Sequence, residues 1–372
     1  SRGGKALGDM CEAAVTAAPG DADFYMCGCR LRRNFYVRSM AAHFEYKDNA
    51  MDFRRSYDHA ARQASADGKP VPTFEEVLAE VLAQREERRR APDEAAERAR
   101  LIADSYKRLK PEVYCLDKER FLTPEFRTLV AELAECPDRP RAVEECAKSL
   151  CGRGILQSIR PNLWSFSVFT PEFCDLFEAE VANFEASEVP KARPNTMNRY
   201  GVILRELGMC DGLMDALVAE YVDPVAAKLL PMFTVGLDTF RAFTVRYEAT
   251  DYGDRDLALH YDNSEVTLNV NVGGDWTGGQ VTFFGIQGEV SSSAPHCSVT
   301  LLRGHGVLHA GRELHQAEPV LSGRRQNLIL WCRSSEVRNS ECPMCWQPPS
   351  VLRTNVYAHE GFTVPPCSLS SG

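Results

Sequence analysis

The spacing of apolar residues changes partway along this chain. Residues 21–60 form an aromatic, basic segment of mixed periodicity, and from Thr73 to about residue 230 helical spacing recurs. Phe74, Val77, Leu78, Val81 and Leu82 fall on one helical face. Thr73-Phe74-Glu75-Glu76 immediately before them reads as a capping box, in which hydroxyl and carboxylate each satisfy an otherwise unpaired amide. Pro92 predicts the end of this helix, with a second one over 94–109. Short helices and connections follow over 111–170. Thr170-Pro171 opens another helix through Phe173, Leu176, Phe177 and Val181. A loop over 190–198 and a helix over 212–230 complete this half.

After Pro231 the period drops to two. Phe243, Val245 and Tyr247 alternate with Thr244 and Arg246, and Val266, Leu268, Val270 and Val272 with Thr267, Asn269 and Asn271. Leu328 and Leu330 alternate with Asn327, Ile329 and Trp331, and Gly273-Gly274 and Gly278-Gly279 punctuate the run as turns. The pattern predicts an α+β protein, with a mostly antiparallel sandwich or barrel and helices packed outside it. The 266–272 strand has one wholly aliphatic face for those helices. Its Thr, Asn, Asn face suits either solvent or a polar cavity.

The segment before that strand favours the cavity. His260-Tyr261-Asp262 is an H-x-D pair whose imidazole and carboxylate project to one side of an extended chain. His309 and His315 compete as a third ligand, and His315 is preferred because Arg325 follows it by ten residues. Ligand, short turn and cation would then enter one cavity. Two histidines and one carboxylate leave three positions open on a metal, as in non-heme Fe(II) oxygenases. 2-Oxoglutarate would occupy two of these through its keto-acid end, and the planar fork of Arg325 would pair with its far carboxylate. Zinc accepts the same ligands but has no redox chemistry to give that cation a purpose.

Charge and cysteine content narrow the partners. With 43 basic and 52 acidic residues the net charge is −9, which argues against a general affinity for nucleic acid or an anionic membrane. No apolar run is long enough to span a bilayer. The 14 cysteines show no repeating framework and read as mainly reduced thiols, the usage of the cytosol or nucleus. Residues 1–20 do not form a secretory signal. The run from Arg85 to Arg90 is interrupted by acidic residues and reads as a solvated helical face.

Several of these segments resemble a known family. Phe243-Thr244-Val245-Arg246-Tyr247, His260-Tyr261-Asp262-Asn263, Thr277-Gly278-Gly279, His309-Ala310-Gly311 and Pro319-Val320-Leu321-Ser322-Gly323 resemble the catalytic domain of prolyl and lysyl hydroxylases. That likeness implies a double-stranded β-helix (jelly roll) using Fe(II), 2-oxoglutarate and ascorbate. A closer likeness, to the 2-oxoglutarate and iron-dependent oxygenase domain-containing protein 2 family, lies in 191–201, Arg325-Gln326-Asn327-Leu328-Ile329-Leu330-Trp331, and 337–345. It runs from about Cys27 to Cys345. Carried over position by position, it implies His260, Asp262 and His315 as metal ligands and Arg325 as the 2-oxoglutarate cation.

The implied organisation is a flexible tail over 1–20, a mainly helical region over 21–165, helices packing on the barrel over 166–232, and the dioxygenase core over 233–336. A C-terminal extension with a CxxC pair covers 337–372, and 350–372 has the Gly, Ser and Pro content of a flexible tail. The implied activity is hydroxylation of a C–H bond with release of succinate and CO2. 2-Oxoglutarate and O2 are co-substrates, and a protein or peptide is the expected prime substrate. N-demethylation at the same centre, or a binding protein with a vestigial barrel, are the alternative readings.

Lesser candidates complete the list. Tyr247 could donate its hydroxyl to 2-oxoglutarate or simply wall the cavity. Asn327 and Trp331 share the Arg325 face and should line the pocket with Thr267 and Asn269. Asn195, Asn198 and Tyr200 lie in a polar loop that could overhang it. His309 reads as a surface residue near a turn, or as a group orienting the site. Cys342 and Cys345 have the spacing of half a zinc site, which Cys27 and Cys29 would complete if they met; two unconnected thiol pairs are the simpler expectation.

Overall fold

A computed structural model describes residues 24–40, 42–288, 296–358 and 361–362. The expected tail over 1–20 lies outside the described residues, as do 359–360 and 363–372. Among the described residues no helix is long and apolar enough to cross a membrane. Two compact units are present, one formed by 97–337 and the other by the described residues of 19–96 with those of 338–372.

The strands in chain order are β1 (Tyr25–Cys27), β2 (Phe35–Val37), β3 (Ala42–Phe44), β4 (Gln157–Arg160), β5 (Leu163–Ser167), β6 (Thr239–Glu248), β7 (Leu257–His260) and β8 (Val266–Gly278). They continue as β9 (Val281–Ile286), β10 (Cys297–Val299), β11 (His305–Ala310), β12 (Glu313–Ala317), β13 (Val320–Arg333), β14 (Val351–Arg353) and β15 (Gly361–Phe362).

The unit of 97–337 is a double-stranded β-helix with helices, an α+β arrangement. A six-stranded antiparallel sheet runs β4-β5-β11-β8-β13-β6, and a four-stranded one runs β10-β9-β12-β7. The first sheet takes in β4 and β5, which lie well before the 233–336 core marked out by the sequence pattern. Val266, Leu268, Val270 and Val272 are fully buried in the same apolar cluster as Phe173, Phe177 and Val181 of the helix Pro171–Ala186. Alternation therefore gives β8 one face for the helices and turns the other inward. Thr170 caps that helix by accepting from the Phe173 amide at 3.2 Å. Inside it, Glu180 is fully buried and accepts from the Tyr106 and Tyr114 hydroxyls at 2.9 and 2.8 Å and the Leu109 and Lys110 amides at 2.8 and 2.6 Å. A buried carboxylate is tolerated only when its lone pairs are satisfied in this way.

In the other unit, β1 lies between β14 and β15, and β2 pairs with β3. Part of the expected C-terminal tail is thus a strand. Phe35, Val37, Phe44, Phe53, Val77 and Val81 share a small core. The capping box forms as the sequence predicts, Thr73 N–H donating to Glu76 Oε2 at 2.7 Å and Glu76 N–H to Thr73 Oγ1 at 3.3 Å.

Two expectations change here. Pro92 lies inside one continuous helix, Phe74–Ser105, rather than between two. Proline removes one amide donor, but Val81 before it and Ala95, Ala99 and Ile102 after it are all buried, and burial of the flanking turns outweighs the lost bond. The basic run is not wholly solvated either. Arg88 is buried and donates to the carbonyls of Arg30, Arg33 and Asn34 at 2.6–2.8 Å, while Arg85 pairs with Asp48.

Candidate active site

His260 is the last residue of β7, and β12 pairs with β7 so that His315 stands directly opposite it. Asp262 lies in the turn beyond β7. Its amide donates to the Gly311 carbonyl at 2.8 Å, and the Gly311 amide donates to Glu265 at 2.9 Å. A Cβ at Gly311 would overlap the Ser264 carbonyl oxygen, so the close approach that holds this turn requires glycine.

One ligand atom from each of His260, Asp262 and His315 lies within 4.8 Å of the others. Asp262 Oδ1 is 3.7 Å from His260 Nε2 and 3.8 Å from His315 Nε2. The remaining atoms of the trio are committed elsewhere. His260 Nδ1 is 2.8 Å from the Ala258 carbonyl and His315 Nδ1 is 2.8 Å from the Glu313 carbonyl. A carbonyl only accepts, so Nδ1 carries the proton and the Nε2 lone pair faces the centre. Burial, with the adjacent His315 ring, pulls His260 down to about 4, and burial also lowers His315, so both imidazoles are neutral near neutrality. Burial would raise the Asp262 carboxyl, but the three surrounding imidazoles, protonated at the acid pH where a carboxyl titrates, and the Thr267 hydroxyl outweigh it and hold the group below its ordinary range.

His309, the competing candidate, is wholly buried rather than at the surface. It stands opposite Thr267 on β11, with Nε2 3.9 Å from the other Asp262 oxygen, Oδ2. Oδ2 already accepts from the Thr267 hydroxyl at 2.7 Å. Geometry thus separates His315, facing Oδ1, from His309, behind the carboxylate. Alternation along β11 carries the signal that the sequence reading passed over: Leu308 faces the helical core, so His309 must face inward.

The three side chains open into one cleft. Arg325, Asn327, Ile329 and Trp331 line its β13 wall, as their shared face predicts, and Thr267 and Asn269 its β8 wall. Arg325 is 3% exposed, stacks its guanidinium 4.7 Å from the Tyr247 ring centroid and donates to the Gly279 carbonyl. Its Nε has no partner and, among the described residues, no carboxylate pairs with it. An unpaired buried cation costs several kcal/mol, roughly, unless an anion joins it. The donor set suits Fe(II), and the orphaned guanidinium suits a dicarboxylate bound beside it.

Tyr247 is buried and accepts at its hydroxyl from Asn198 Nδ2 at 3.1 Å. Asn195 and Asn198 both line the cleft, tied to each other at 2.9 Å. Tyr200 does not line it. Its hydroxyl turns to the Tyr252 carbonyl at 2.9 Å, because the chain leaves the rim after Asn198 to pair alongside β6. The four cysteines Cys27, Cys29, Cys342 and Cys345 come together in the other unit, where the sequence favoured two separate pairs.

A jelly roll that presents two histidines and a carboxylate beside a buried arginine is the framework of the iron(II) and 2-oxoglutarate oxygenases. Comparison with known proteins specifies the family. Residues 102–234 match the OGFOD2-like domain. The chain is 38% identical over 345 residues to the 2-oxoglutarate and iron-dependent oxygenase domain-containing protein 2 of Xenopus tropicalis, covering 91% of this chain and 93% of that one. Against the Homo sapiens protein of the same name it is 38% identical over 341 residues, covering 91% and 94%. The chain belongs to this family. It also matches the Homo sapiens multifunctional procollagen lysine hydroxylase and glycosyltransferase LH3, at 26% identity over 199 residues, half of this chain and a quarter of that one.

Proposed function

We propose that this protein is a 2-oxoglutarate-dependent dioxygenase that hydroxylates a C–H bond on a protein side chain, with His260, Asp262 and His315 as its iron ligands and Arg325 as its co-substrate anchor. The observation that carries the reading is the convergence of Asp262 Oδ1 and two imidazole Nε2 atoms in the cleft that also buries Arg325, which has no carboxylate partner among the described residues. Iron, when bound there, supplies the oxygen activation that couples decarboxylation of 2-oxoglutarate to oxidation of the substrate.

The chain's own residues do the positioning. Thr267 holds Asp262 so that one oxygen faces the ligand histidines. Arg325 draws the far carboxylate of 2-oxoglutarate into the barrel, where Tyr247 and Asn327 wall it. Asn195 and Asn198 also line the cleft and, with Trp331 of the β13 wall, are the groups a substrate would meet. The partial likeness to a protein named as a lysine hydroxylase supports a peptide substrate, and ascorbate is the reductant expected to keep the iron ferrous.

The test is turnover. The Fe(II)-loaded protein, given 2-oxoglutarate, O2, ascorbate and a peptide library, should form succinate together with peptides heavier by one oxygen atom. The Asp262→Ala variant should form neither. Succinate formation that requires no peptide, with no library member oxidised, would support the oxygenase and reject the peptide substrate.

A further inference from the structure

A second group of ligating side chains takes no part in that chemistry. Cys27 ends β1 and Cys29 follows in the next turn, while Cys342 and Cys345 lie on the tight turn after the helix Ser335–Ser340. All four belong to the unit that contains β1 and β14.

Their four Sγ atoms lie within 4.8 Å of one another. Cys27 Sγ is 4.0 Å from Cys345 Sγ, and Cys29 Sγ is 3.7 Å from Cys342 Sγ. A disulfide needs about 2.05 Å, roughly half of either distance. Four thiolates held tetrahedrally at about 2.3 Å from one zinc ion stand about 3.8 Å apart, since the tetrahedron's edge is about 1.63 times its radius. The observed spacings bracket that value, and all four sulfurs are free thiols.

The backbone around Cys342 and Cys345 is held in a closed turn. The Cys345 and Trp346 amides donate to the Cys342 carbonyl at 3.3 and 2.8 Å, and the Cys342 amide to Gln347 at 3.0 Å, closing the turn. Trp346 accepts a left-handed φ of 60° to do so, a conformation that a bulky residue keeps only where its surroundings demand it. Arg33 places its guanidinium 3.5 Å from the Cys345 carbonyl, next to the excess negative charge of four thiolates.

Hydrophobic packing is a weak alternative. Cys27, Cys342 and Cys345 are buried in a cluster joined only by Cys29 and Met344 among the described apolar residues. Such a group contributes little transfer energy. An ion, by contrast, would link segments more than three hundred residues apart in sequence and fix a strand of three residues.

We propose that Cys27, Cys29, Cys342 and Cys345 bind one structural zinc ion that ties β1 to the 342–346 turn. Four thiolates leave no open coordination position, so the site is closed to catalysis. Zinc is the divalent ion for which a tetrahedral sulfur cage is most diagnostic; iron and copper(I) are the competitors.

The test is metal content. The full chain is produced with zinc and iron supplied, purified under reducing conditions, dialysed against a mild chelator and assayed for zinc, iron and copper. The expected result is one zinc per chain, present equally in the His260→Ala/His315→Ala double variant, which removes the other metal centre. The Cys342→Ser/Cys345→Ser variant should lose that zinc. If that variant fails to fold, titrating the double-histidine variant with a mercurial should release one zinc per chain as its thiols are modified. Substoichiometric zinc in freshly reduced protein, another metal in its place, zinc retained by the cysteine variant, or release uncoupled from thiol modification would each overturn the proposal. None of these outcomes depends on whether the protein is an oxygenase.

Discussion

The Thr267 hydroxyl donates to Oδ2 of Asp262 at 2.7 Å, and this leaves Oδ1 as the oxygen directed at His260 and His315. The bond joins the start of β8 to the turn that carries the carboxylate. Ser264 lies 2.8 Å from the Thr267 hydroxyl and completes the chain of hydrogen bonds. Partners that orient a metal ligand typically matter by about 10–100-fold in affinity or activity. Thr267→Val should weaken iron retention by about that factor, and Thr267→Ser should restore it. Dialysis against graded chelator, followed by iron assay, measures the effect. Equal loss in the Ser and Val variants would make Thr267 a packing residue instead.

Opposite Asp262 stand two histidines with different prospects. His315→Ala should leave the protein unable to hold stoichiometric iron. His309→Ala should still bind one iron, because its ring faces the oxygen already held by Thr267. Iron content of the two purified variants separates them, and loss of iron from His309→Ala alone would reverse the assignment.

Arg325 is a buried cation whose Nε has no partner. Removing one member of a buried charge pair costs about 2–5 kcal/mol, so Arg325→Ala should raise the 2-oxoglutarate concentration required by at least about 30-fold. Arg325→Lys should recover part of this, since it keeps the charge and loses the planar fork. The dependence of succinate formation on 2-oxoglutarate is the measurement. Co-substrate dependence unchanged in Arg325→Ala would remove Arg325 from the site.

Glu180 offers a test of stability separate from chemistry. Its carboxylate satisfies two tyrosine hydroxyls and two backbone amides in the helical layer. Each buried donor left unsatisfied costs about 1–3 kcal/mol, so Glu180→Ala should destabilise the protein by about 3 kcal/mol or more. Thermal unfolding followed by circular dichroism should show the lower Tm, with Glu180→Gln intermediate. An unchanged Tm would mean that water replaces the carboxylate.

What the sequence reveals of this molecule follows the range of its patterns. The period-two alternation of β8 and β13 places Thr267, Asn269, Arg325, Asn327 and Trp331 on the cleft walls because strand geometry fixes which face each residue shares. The H-x-D pair and the ten-residue step to Arg325 are equally local. Contacts made across the fold are harder to see. Arg88 looks solvated within a basic run, and only the carbonyls of Arg30, Arg33 and Asn34 reveal why it is buried. Pro92 carries a strong local signal that packing on both sides overrides. No periodicity could bring Cys27 and Cys29 to Cys342 and Cys345, since that meeting depends on β1 pairing with β14.

The most direct test of the proposed centre is anaerobic binding of 2-oxoglutarate, followed by calorimetry with and without Fe(II), in the unmodified protein and in Asp262→Ala. Without O2 the measurement is independent of the unknown prime substrate. The expected result is tight binding only when Fe(II) is present, lost in Asp262→Ala even at high iron. No binding by the iron-loaded protein, or binding of equal strength without metal, would contradict the assignment of His260, Asp262 and His315 as the oxygenase centre.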